Sequence, residues 1–181
     1  SGYKSGGSPI VNTIDKFPFS ADGNATDVGD LTQGRYSPAG QSSTESGYSS
    51  GGSFPYVNTI DKFPFSADGN ATDVGDLTQA RGGAAGQSST ESGYSSGGIA
   101  PPLVNTIDKF PFATDGNATD VGDLTQARFR AAGQSSTESG YKSGGSPIVN
   151  TIDKFPFSAD ANSTDVGDLT QARAGPAGQQ V

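Results

Sequence analysis

The chain contains no Cys, His, Met or Trp. Without Cys there is no disulfide, no thiolate nucleophile and no zinc–thiolate site. Without His, both the commonest metal ligand and the usual acid–base group at neutral pH are missing. Lys and Arg number 11 against 19 acids, a net charge of −8. No basic stripe interrupts this acidity, and phosphate contacts dominate nucleic-acid affinity, so nucleic-acid binding is not expected. Apolar runs extend only a few residues, too short for a bilayer-spanning helix or a signal peptide, so no membrane insertion is expected. With no initiator Met, the chain reads as processed, excised or incompletely defined at its start. Val, Ile, Leu and Phe together fall below the roughly 20% level at which bulk composition signals disorder.

What is present is repetition, and it overrides that bulk reading. The segment VNTIDKFPFSADGNATDVGDLTQ runs from Val11 to Gln33 and recurs unchanged from Val57 to Gln79. Copies at Val104–Gln126 and Val149–Gln171 each differ at two positions. The block AGQSSTESGY joins the copies at Ala39–Tyr48, Ala85–Tyr94 and Ala132–Tyr141. Asn12, Asn58, Asn105 and Asn150 mark spacings of 46, 47 and 45 residues. Every length change follows the double glycine, in tracts 8–10, 53–56, 99–103 and 146–148. A segment that tolerates insertion reads as a surface loop, because a one-residue slip would turn a paired strand inside out. A second divergent tract follows each repeated Arg: 36–38, 82–84, 129–131 and 174–176.

Each unit reads as four short strands, such as 85–90, 93–96, 58–65 and 73–78, with the turn ADGNAT before the last. No window sustains helical periodicity, and Gly and Pro recur too often for helices. The expected fold is all-β, a β-propeller of about four four-stranded blades built on a 45–47-residue repeat. The whole of 1–181 forms one repeat domain with blades at 35–80, 81–127 and 128–172. A split blade from 1–34 plus 173–181 is expected to close the ring by the two termini. A segment of a larger ring, or a ring completed by a second chain, is the alternative. One unit offers too few large apolar groups to offset its own ordering entropy, so stability must come from packing between units.

The order DLTQAR, AGQ, GY–SSGG, TIDKFPF, DVGDL resembles the kelch repeat. The matching positions are Leu77 to Arg81, Gly97-Gly98 and Thr106–Phe112, repeated round the chain. The resemblance implies a kelch-like β-propeller. The Ser-rich DKFPF repeats are also similar to those of uncharacterised proteins from marine bacteria and their phages.

Candidate sites follow from the two kinds of segment. The DGNATD turns supply oxygen ligands at Asp22, Asn24 and Asp27, at Asp68, Asn70 and Asp73, and at Asp115, Asn117 and Asp120. Their oxygen set is incomplete for Ca²⁺ and lacks a bidentate Glu, so calcium stands behind Asx-type turns as the reading, and no cofactor is otherwise implied. Asn24, Asn70, Asn117 and Asn162 head N-x-T sequons, again with the turn as the preferred role. Arg35, Arg81, Arg128 and Arg173 read better as ion pairs tying neighbouring blades than as an anion-binding ring. Every carboxylate recurs in each complete unit, which leaves no asymmetric catalytic constellation, so an enzyme is not expected.

The divergent tracts are the better lead. In an antiparallel blade both emerge on one face, and they carry Tyr36, Phe54, Tyr56, Leu103, Phe129 and Arg130. Drift in unconstrained loops explains them equally well. The functional expectation is a non-enzymatic binding or structural module of an extracellular or virion surface protein, such as a phage tail fibre or an adhesin. It would make multivalent contact with a surface glycan or protein partner through the variable face. The alternative is a purely architectural repeat that self-associates end to end, into a filament or a larger ring.

Overall fold

The computed structural model describes residues 1–179. Among these residues fifteen strands form four antiparallel sheets. Sheet I contains β1 (Gly2–Ser5), β2 (Thr13–Phe17) and β3 (Thr26–Asp30). Sheet II contains β4 (Ala39–Ser42), β5 (Ser46–Ser50), β6 (Thr59–Pro64) and β7 (Thr72–Asp76). Sheet III contains β8 (Ala85–Ser88), β9 (Ser92–Ile99), β10 (Leu103–Pro111) and β11 (Thr119–Asp123). Sheet IV contains β12 (Ala132–Ser135), β13 (Ser139–Ser143), β14 (Thr151–Pro156) and β15 (Thr164–Asp168). Each sheet is a meander in chain order, so the repeat dictates an all-β, propeller-like succession of blades.

The structure departs from two expectations. Among the described residues sheet I has three strands and no strand pairing joins it to sheet IV, so closure by the termini is not seen. Past Arg173 the chain stays at the far end of the arc, held by Gly145 N donating to the Arg173 carbonyl and Gly175 N to that of Arg130. There Gly178 lies beside Gly133 of β12 instead of beside β1. Second, Leu103 opens β10 rather than sitting in a loop. The longest tract lets the β9–β10 hairpin run on past the double glycine, pairing Leu103 with Ile99.

The apolar residues are spent between sheets, not within them. Ile14 and Leu31 of sheet I meet Phe63 and Ala71 of sheet II. Tyr48, Ile60 and Leu77 meet Phe110 and Ala118 across the next joint, and Tyr94, Ile107 and Leu124 meet Phe155 across the third. At every joint a Tyr stacks on the second Phe of the following KFPF at 4.8 Å between ring centres.

Backbone approach is as close as the packing. The last two strands of each sheet carry a bulge that leaves Val28, Val74, Val121 or Val166 as the extra residue. The next residue is Gly at φ near +150° in all four copies. A Cβ on Gly75 would collide with the Gly116 carbonyl oxygen of the next sheet, so both the torsion and the contact demand glycine there. On the inner strands, a Cβ on Gly86 would likewise strike the Gly40 carbonyl oxygen.

A buried ion pair closes each joint. Arg35–Asp61, Arg81–Asp108 and Arg128–Asp153 lie at 2.8, 3.0 and 3.1 Å, with every side chain fully buried. The DLTQ sequence explains the geometry, because the Thr also serves the same carboxylate. Thr78 donates to Asp108 through both its amide, at 2.9 Å, and its hydroxyl, at 2.7 Å. Removing the carboxylate in Asp108→Ala leaves a buried guanidinium without its partner. It should cost about 3–5 kcal/mol of unfolding free energy. Lys62→Ala breaks the outer Lys62–Asp115 pair, whose Asp side chain is 59% exposed, and should cost no more than about 1 kcal/mol. Equilibrium urea unfolding of both variants measures the difference.

Candidate binding surface

Where one sheet hands over to the next, the two divergent tracts meet. Tyr36 and Ser53 form an isolated antiparallel bridge, as do Gly82 with Ile99 and Phe129 with Ser146. These bridges gather Tyr36, Phe54, Tyr56, Phe129 and Arg130 round one small cavity of about 100 Å³. Five of the six variable-face residues therefore converge. Leu103, the sixth, is half-buried and pairs with Ile99, which also lines the cavity. Gly83 and Ser37 complete the wall and carried no distinguishing signal beyond lying in divergent tracts.

The surface combines exposed rings with one cation. Phe54 is 67% exposed, and its ring lies 6.0 Å from that of Tyr36. The Arg130 guanidinium sits over the Phe129 ring at 5.3 Å, in cation–π range. The backbone is strained at the same place. Among the described residues, the non-glycine residues with positive φ are Ser37 at 50°, Phe54 at 64° and Arg130 at 51°, and all three border this cavity.

The acidic turns make contacts within and between the sheets. Asp68 and Asp115 pair with Lys16 and Lys62 of the preceding sheets at 2.8 and 2.9 Å. These acids hold the lysines' pKa above its ordinary value. Asn70 and Asn117 accept the backbone N–H groups of Asp30 and Asp76 in the preceding sheets. Asp27, Asp73 and Asp120 accept the amide of the bulge glycine two residues on. In the turns of sheets II and III the three oxygens thus point to three different partners. Among the described residues no three acidic side chains converge as metal ligands would. Asp22 and Asn24 head the arc, with no preceding sheet, and are exposed.

Lys142 escaped attention in the sequence because it replaces Ser49 and Ser95 of the other complete sheets without disturbing the strand pattern. It is fully buried at the joint between sheets III and IV, where its ammonium donates to the carbonyls of Ser96 at 2.6 Å and Arg128 at 3.2 Å. Burial first, then the nearby Arg128 and Arg81 charges, drives its pKa well below the ordinary value near 10.5.

No protein-family model and no curated protein matches the chain. Among solved structures, that of YjhT shares the fold with a TM-score of 0.77 at 12% identity, over 94% of this chain and 64% of that one. The chain thus spans less than two thirds of the length of that protein. At this identity the likeness speaks to the course of the backbone alone.

The depressed Lys142 pKa carries a sign. Between its folded value and about 10.5 the unfolded chain binds a proton that the folded chain refuses, so stability falls as pH is lowered through that window. Lys142→Ser removes the penalty. The variant should match the wild type above pH 10.5 and gain on it progressively at lower pH, as read from thermal unfolding across a pH series.

Proposed function

We propose that this chain is a non-enzymatic binding module of kelch-like propeller type, belonging to an extracellular or virion surface protein of fibre or adhesin kind. It contacts a surface glycan or a partner protein through the face that carries Tyr36, Phe54, Tyr56, Phe129 and Arg130. One observation carries the reading: the strained non-glycine residues Ser37, Phe54 and Arg130 all border one cavity built from divergent tracts. Backbone strain persists only where surrounding structure enforces it, and it concentrates at functional sites. Exposed aromatic faces beside a guanidinium suit a sugar ring, whose apolar face stacks on the rings while its hydroxyls or a carboxylate take the donors. The nearly invariant joints supply the rigid scaffold that such a loop cluster needs.

A glycan array probed with the labelled chain, followed by titration of the best ligand, tests the reading. Phe54→Ser and Arg130→Ala should each weaken binding roughly tenfold or more, as expected at a contact centre, without lowering the melting temperature. Glu45→Gln and Glu91→Gln, in the exposed STES turns, should leave affinity unchanged. Binding that survives both variable-face substitutions would overturn the assignment.

A further inference from the structure

Ser37, Gly83, Arg130 and Gly175 hold the same place in the four divergent tracts that follow the repeated Arg. A line of backbone hydrogen bonds runs through them. Gly83 N donates to the Ser37 carbonyl at 2.9 Å, Arg130 N to that of Gly83 at 2.9 Å, and Gly175 N to that of Arg130 at 2.8 Å. All four residues stand at positive φ, at 50°, 65°, 51° and 70° in chain order. The backbone belt, common to the four tracts, therefore imposes the torsion. Glycine meets it without strain at two of the places, whereas Arg130 carries a long side chain where an L-residue is disfavoured. The belt makes no use of that side chain, since its bonds run from amide to carbonyl throughout.

Charge sets Arg130 apart as well. The chain has 19 acidic residues, yet none falls in the eight divergent tracts, and Arg130 is the one charged residue in them. Glu45, Glu91 and Glu138 lie in the hairpins at the opposite edge of the sheets. Among the described residues Arg130 pairs with no carboxylate, in contrast to the buried Arg35, Arg81 and Arg128. Its guanidinium rests instead over the Phe129 ring at 5.3 Å. A guanidinium held against a ring is fixed in place and keeps N–H groups at its edge for a bidentate bond to a planar or tetrahedral anion. Tyr36 and Phe54, with ring centres 6.0 Å apart, border the same cavity. On a chain of net charge −8, this acid-free face is the one that a negatively charged ligand approaches with least repulsion.

We propose that the variable face selects glycans bearing an anionic group, a carboxylate or a sulfate, and that Arg130 determines this selection. The oxygens of that group accept a pair of hydrogen bonds from the Arg130 guanidinium while the sugar ring lies against Phe54 and Tyr36. The inference rests on the glycan-binding reading of this face and narrows its ligand class. It also accounts for a strained side chain at a place that glycine fills elsewhere in the repeat.

Surface plasmon resonance on immobilised dextran, carboxymethyl-dextran and dextran sulfate tests it, because the three share one glucan and differ in charge. The wild type should bind one charged polymer roughly tenfold or more tighter than dextran, as a charge-assisted pair of hydrogen bonds provides. Which of the two it prefers distinguishes carboxylate from sulfate, and the preference should shrink as salt is raised. Arg130→Gly should bring the ratio of charged to neutral affinity close to one. Its melting temperature should stay at or above that of the wild type, whereas loss of a residue with a purely structural role would lower it. Arg130→Lys keeps the charge without the planar fork and should lose most of the preference. Glu91→Gln, which makes the net charge less negative without touching this face, should leave the ratio as it is. Equal binding of the three polymers by the wild type, binding of none, or a charge preference that survives Arg130→Gly would overturn the proposal. If the polymers bind equally while Phe54→Ser still abolishes binding to a neutral glycan on the array, the selection by Arg130 falls and the face reading stands. If the array yields no ligand, both fall.

Discussion

Sheets II, III and IV each depend on a buried guanidinium that they do not own. Arg35, Arg81 and Arg128 leave the last strand of one sheet and end on an Asp in the third strand of the next, fully removed from water. A charge in that position is tolerated only while its partner and the Thr beside it stay in place. The pair therefore fixes register and spacing between sheets, around which apolar packing of modest size becomes sufficient. Tyr on one side and two Phe on the other fill the joint, and the bulge glycines let the backbones touch. A sheet without its neighbour has neither a core nor a counter-ion.

This arrangement separates two kinds of sequence. Residues that make the joint are held by several constraints at once, since Asp108 serves Arg81 and Thr78 together. Residues in the tracts after the double glycine and after the Arg contribute no side chain to the apolar clusters of the joints and differ between copies. They meet because each joint brings the end of one sheet beside the hairpin of the next, as the Tyr36–Ser53 bridge shows. A rigid frame then holds Ser37, Phe54 and Arg130 in torsions that a free loop would abandon. The concentration of exposed rings there reflects this division of labour.

The same logic explains the ends of the arc. A joint has two unlike halves, so a linear succession of like units always leaves one half of each kind. The exposed Phe19 and Arg173 are ordinary joint residues whose neighbour is not in the chain. The acidic turns illustrate the converse. Asp68 and Asn70 resemble cation ligands only until the preceding sheet is in place, when each finds a lysine or an amide there.

Much of this was legible in the sequence. The 45–47-residue period, the fixed and divergent segments, the four strands per unit and the Arg as an inter-sheet tie all follow from local pattern and from the cost of an unpaired buried charge. The aromatic and Arg positions of the variable face were equally visible, because strand alternation alone sends both tracts to one edge. The position of the tail was not visible: Gly178 lies beside Gly133 of β12, a contact between residues far apart in sequence. Nor did the pattern disclose that Lys142 is buried, because Ser and Lys occupy a strand position equally well. Only the tertiary arrangement of sheets III and IV removes that ammonium from water. The sequence by itself determined the repeating unit and the chemistry of its joints, since both rest on short-range spacing. Only the tertiary structure decided which side chains each joint takes out of water, Lys142 among them, because burial depends on the neighbouring sheet and not on local spacing.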